Sequence, residues 1–87
     1  MKIFYQNRLV DISGFHQAAV EGQKLVISYA MAPSGRLRYP DEFPFKDETA
    51  ASNALEWVCR YADTERTVEF VETEGKFIAC VHPLFDY

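Results

Sequence analysis

Asp47-Glu48-Thr49-Ala50-Ala51-Ser52-Asn53-Ala54-Leu55-Glu56-Trp57-Val58-Cys59-Arg60-Tyr61-Ala62 is the run around which every other element has to be arranged. Ala51, Ala54, Leu55, Val58 and Ala62 recur at the spacing of one helical face, while Ser52, Asn53, Glu56 and Arg60 fall on the far side. Asp47 has the side chain of an N-cap, which offers a carboxylate oxygen to an otherwise unbonded first-turn N–H. Glu48 follows at the positive end of the helix dipole. Asp63-Thr64-Glu65 closes the helix.

Downstream the period changes from helical to alternating. The segments 66–72 and 76–82 flank Thr73-Glu74-Gly75, a turn signal, and read as a hairpin. Val68 and Phe70 share one face of the first strand; Phe77, Ala79 and Val81 face one way in the second, with Ile78, Cys80 and His82 facing the other.

Upstream, residues 2–12 alternate loosely and read as one strand, or as two short strands folded about Gln6-Asn7, because Asn tolerates the positive φ of a tight turn. Ser13 as N-cap and Gly22 as terminator predict a helix of about two turns over 14–21. A strand ending in a Glu21-Gly22 turn competes, since Ala18-Ala19-Val20 has no decisive period. From Lys24, Leu25, Ile27, Tyr29 and Met31 alternate with Val26, Ser28 and Ala30. Pro33-Ser34-Gly35 then predicts a turn into a partner strand over Arg36-Leu37-Arg38-Tyr39. Pro40 and Pro44 bracket an irregular or edge crossing, because neither proline can donate to a ladder.

These elements predict an α+β fold: a single antiparallel sheet of four or five strands with one long helix on one face, and a second short helix if 14–21 is helical (β-(α)-β-β-α-β-β). The chain of 87 residues is too short to divide into two self-sufficient cores, so residues 1–87 are expected to form a single domain. Aromatic residues from Phe4 to Phe77 are spread so that every element has one to give to a shared core.

Charge and composition narrow the function. A formal charge of −4 provides no global attraction for nucleic acid or an anionic membrane, and no apolar run is long enough for a membrane span or a signal peptide. A cytoplasmic location follows as the default, with Cys59 and Cys80 reduced and packed as small hydrophobes. No Gly-rich loop opens a helix to cradle phosphate. Asp41, Glu42, Asp47 and Glu48 cluster in sequence, but the helix start already accounts for the last two.

Cys80-x-His82, with Cys59 and His16 as further donors, is the pattern closest to a metal site or a thiol nucleophile with its base. It lacks a Cys-x-x-Cys or His-x-x-x-His anchor, so no metal, no cofactor and no catalytic residue is expected. A cysteine- or metal-dependent enzyme stands as a second alternative.

Two surfaces remain. Ala50, Trp57 and Tyr61 widen the helix stripe on one flank, and Trp and Tyr are enriched at the centres of protein interfaces. This flank, joined by Asp41 and Glu42 against a basic partner, points to a non-enzymatic protein-binding domain of regulatory, inhibitory or accessory kind. Its partner is expected to be a larger protein or a second copy of the chain. The composition is similar to that of small inhibitors encoded by phages and mobile elements, a likeness of composition alone. The alternative is nucleic-acid binding through a basic hairpin carrying Arg36 and Arg38 beside Tyr39, a pattern that a charge-guarded edge strand also produces.

Overall fold

A computed structural model describes residues 1–30 and 38–82. The elements are β1 (Lys2–Tyr5), β2 (Arg8–Asp11), β3 (Gln17–Glu21), β4 (Lys24–Ser28), β5 (Asp41–Pro44), α1 (Glu48–Tyr61), β6 (Thr67–Thr73) and β7 (Lys76–Val81). The fold is α+β with one helix among the described residues, but the strands form two sheets rather than one. A four-stranded sheet runs β2-β1-β6-β7, and a three-stranded sheet runs β3-β4-β5.

The difference arises from two pairings that local sequence does not encode. β1 lies parallel to β6, with Ile3 opposite Val68 and Tyr5 opposite Phe70, and so joins the first hairpin to the last. One partner of β4 is β5, whose Phe43 sits opposite Leu25; β5 lies in the segment read as an irregular or edge crossing. Pro44 is compatible with the ladder because β5 is an edge strand among the described residues and Pro44 stands at its last position. The expected turn at Pro33-Ser34-Gly35, with Met31, Arg36 and Leu37, lies outside the described residues, as does the tail from Pro83.

Residues 14–21 do not form a helix. Gln17–Glu21 pairs antiparallel with β4 about a turn at Gly22, whose φ of 66° is one that glycine adopts without strain. This pairing puts Ala18 and Val20 on the same face as Ile27 and Leu25, a burial that two turns of isolated helix cannot match. The other hairpins turn on positive-φ pairs: Gln6 and Asn7 between β1 and β2, Glu74 and Gly75 between β6 and β7.

Helix α1 begins where its cap predicts: the Ala50 N–H donates to Asp47 Oδ1 at 2.8 Å, from a cap residue in extended conformation. That bond holds the exposed Asp47 carboxyl below the usual carboxylate range, with Lys46 helping. The helix buries Ala50, Ala51, Ala54 and Val58, small side chains that let its axis approach β3 and β4 closely. One contiguous core joins both sheets and the helix; Ile3, Val68 and Phe70 meet Leu25, Ile27, Phe43 and Val58 there. Tyr5 and Phe45 stack in it at 4.7 Å between ring centroids. No helix among the described residues is long and apolar enough to cross a membrane.

Candidate functional site

The helix flank expected to bind a partner is largely used by the fold itself. Ala50 is 2% exposed and belongs to the core, so it has no surface to present. Trp57 and Tyr61 are half-buried against that core and stack on one another, with centroids 5.6 Å apart and planes 15° from parallel. The Arg60 guanidinium stands 5.4 Å above the indole. The indole is therefore covered in part by its own chain.

Asp41, expected to face a partner, is the hub of a polar node within the chain. Tyr29 donates its hydroxyl to Asp41 Oδ2 at 2.7 Å, Arg38 reaches the same oxygen at 3.2 Å, and Arg8 approaches Oδ1 at 3.9 Å. Burial, then the neighbouring Asp41 carboxylate, push the Tyr29 phenol well above its usual range. Glu42 pairs with Lys24 at 2.7 Å on the solvent side of the three-stranded sheet.

Arg38 of the expected basic hairpin joins the same node. The Arg38 guanidinium lies 3.7 Å from the Tyr29 ring centroid and also donates to the Asp11 carbonyl at 2.9 Å. Arg36 lies outside the described residues. Tyr39, next to Arg38 in the chain, is 80% exposed.

The geometry gathers exposed apolar groups and chemistry-bearing side chains on the outer face of the four-stranded sheet. Register sets the arrangement: Leu9 is opposite Phe4, Phe4 opposite Glu69, and Glu69 opposite Cys80, all pointing away from the core. One step along, Val71 is opposite Ile78. Leu9 is 61% and Ile78 50% exposed, and half-buried Phe4 and Val71 lie between them. Because β6 runs on to Thr73 after β1 ends at Tyr5, the sheet loses a neighbour there. A cleft of about 210 Å³ opens at that point, lined by Phe4, Gln6, Asn7, Glu69, Val71 and Glu72.

Beside the cleft, His82 Nε2 lies 3.0 Å from Glu69 Oε1, and the Cys80 thiol lies 4.0 Å from the same oxygen. Cys80 and His82 were visible in the sequence as one strand face; Glu69 was not. Counting pairs back from a two-residue Glu74-Gly75 turn, with Thr73 opposite Lys76, would have put Glu69 across from Cys80. The other donors considered, Cys59 and His16, are not in this cluster. Both cysteines are free, and both are exposed rather than packed in the core. Burial of the Cys80 sulfur and the Glu69 charge raise its thiol above the ordinary value.

No protein-family model, no curated protein and no solved structure matches this chain.

Proposed function

We propose that this chain is a non-enzymatic protein-binding domain of regulatory or accessory kind, and that the outer face of the four-stranded sheet is its contact surface. The observation that carries the reading is the pair of exposed residues Leu9 and Ile78 bracketing Phe4 and Val71. A sheet with one face on a core normally turns polar residues outward. Exposed apolar side chains in that position lose the benefit of burial unless another molecule covers them.

Three features favour protein over other partners. The net charge of −4 opposes a polyanion, and the Arg38 guanidinium already has carbonyl, carboxylate and ring partners within the chain. The cleft is small against the roughly 300–1,000 Å³ of most ligand pockets. A thiol with a raised pKa is a poor nucleophile at neutral pH, which weighs against a cysteine enzyme.

The test compares proteins retained by the tagged chain with those retained by a Leu9→Lys/Ile78→Lys variant and by an Asn53→Ala control on the solvent side of the helix. The reading expects one protein to be held in stoichiometric amount by the wild type and the control and lost by the double variant at unchanged thermal stability. A change in light-scattering mass from dimer to monomer in that variant would identify a second copy as the partner. Identical retention and mass for all three chains would overturn the assignment of this face.

A further inference from the structure

We propose that Glu69, Cys80 and His82 form a binding site for a divalent metal ion of zinc type, with one coordination position left open to water or to a donor from a bound partner. One donor atom from each residue lies within 4.8 Å of the others, and they form the one such group of three among the described residues. The Nε2 to Oε1 separation is 3.0 Å and the Sγ to Oε1 separation is 4.0 Å. Tetrahedral zinc, with bonds of about 2.0 to 2.3 Å, needs its donors roughly 3.3 to 3.7 Å apart. The two separations to Glu69 Oε1 bracket that spacing.

The backbone supports the arrangement. Glu69 and Cys80 are directly paired residues of adjacent strands, and His82 follows two residues on, its N–H donating to the Thr67 carbonyl at 2.9 Å. All three donors therefore project from one face of a paired hairpin, with little chain entropy left to lose on binding. The donor set is selective. Thiolate and imidazole favour zinc and its transition-metal neighbours over magnesium or calcium, which take oxygen ligands.

Ligation replaces the His82–Glu69 contact with bonds from both groups to the metal, and the Cys80 thiol gives its proton to solvent. The inference does not depend on the protein-binding reading, since it is measured on the isolated chain with metal alone.

Titration of the reduced, metal-free chain with Co²⁺ tests it. The expected result is a one-to-one complex with a thiolate-to-cobalt charge-transfer band and the strong visible absorption of four-coordinate cobalt, both displaced by Zn²⁺. Cys80→Ser should abolish the charge-transfer band, whereas Cys59→Ser should leave it intact. Glu69→Gln and His82→Ala should each weaken cobalt affinity at least ~10-fold, the lower end of what loss of even an outer-shell partner costs. Circular dichroism on each variant separates a lost ligand from a lost fold. Absence of the band in the wild type at stoichiometric metal, or its persistence in Cys80→Ser, would overturn the site.

Discussion

The Tyr5 hydroxyl lies 2.8 Å from Glu72 Oε1, so the end of β1 is tied to β6 by a side-chain bond beyond the point where their backbones stop pairing. The same hydroxyl is 2.6 Å from the Pro44 carbonyl, and both carboxylate oxygens of Glu72 accept from the Lys46 N–H, at 3.2 and 3.0 Å. Lys46 also donates its ammonium to the Gly75 carbonyl. One carboxylate thus links the two sheets at the entrance to α1.

Replacing Tyr5 with Phe removes that link while keeping the ring that stacks on Phe45. Glu72 retains its Lys46 partner, so the loss should be about 1 to 2 kcal/mol, the usual worth of a hydrogen bond to a charged group at a partly solvated site. Urea unfolding at neutral pH measures it, and an unchanged midpoint would show that the bond contributes nothing.

Alkaline titration follows from the same contact. Burial and the Glu72 carboxylate raise the Tyr5 phenol above its ordinary value of 10.0, and burial with Asp41 does the same for Tyr29. In the unfolded chain both phenols ionise first, so above about pH 10 the native state holds more protons and stability falls as pH rises. The contribution is complete below that pH. Tyr5→Phe and Tyr29→Phe should each flatten the alkaline limb of the stability curve, read as unfolding midpoints between neutral pH and pH 11.

At the acid end the sign reverses. Asp47 is depressed below its ordinary 3.8 by the Ala50 N–H and Lys46, so its contribution is present above that pH and is lost as pH falls through the lower folded value. Asp47→Asn keeps an N-capping oxygen but no titratable group. Its helix should survive at neutral pH, and its stability should depend less on pH below 4 than that of the wild type.

How much of this was legible in the sequence depends on how local the determinants were. Asp47 and the alanine-rich face located α1, and Gln6-Asn7 and Glu74-Gly75 located two turns, because capping and positive φ act within a few residues. Gln17–Glu21 misled because Ala18-Ala19-Val20 suits either period and its state is decided by Leu25 and Ile27 across the hairpin. The parallel pairing of Lys2 with Thr67 leaves no local trace, and it is the pairing that joins the first hairpin to the last in a sheet apart from β3-β4-β5. The site suffered likewise: Cys80 and His82 were seen without Glu69, and Leu9 and Phe4 were not connected to Ile78 until the strand order joined them.

The Asp41 node offers a further test of whether that carboxylate serves fold or partner. Asp41→Ala leaves the Tyr29 hydroxyl without its acceptor, while Arg8 and Arg38 are exposed enough for water to replace it. The expected cost is about 1 kcal/mol, almost all from the tyrosine, because half-exposed ion pairs contribute little. A Tyr29→Phe/Asp41→Ala cycle should accordingly show the two losses to be non-additive. Strict additivity would assign the carboxylate another role.

The strongest contrast lies between α1 and the outer sheet face. Ala50 is buried in the core, so Ala50→Asp should cost more than about 3 kcal/mol or prevent folding. Leu9→Lys and Ile78→Lys exchange exposed apolar side chains for charges that point into water, and each should shift stability by no more than about 0.5 kcal/mol. Thermal unfolding of the three variants separates the surfaces without any partner in hand. If the lysine substitutions were instead as damaging as Ala50→Asp, Leu9 and Ile78 would be bearing on the protomer's own packing, and the strip between them would no longer be open for another molecule to cover.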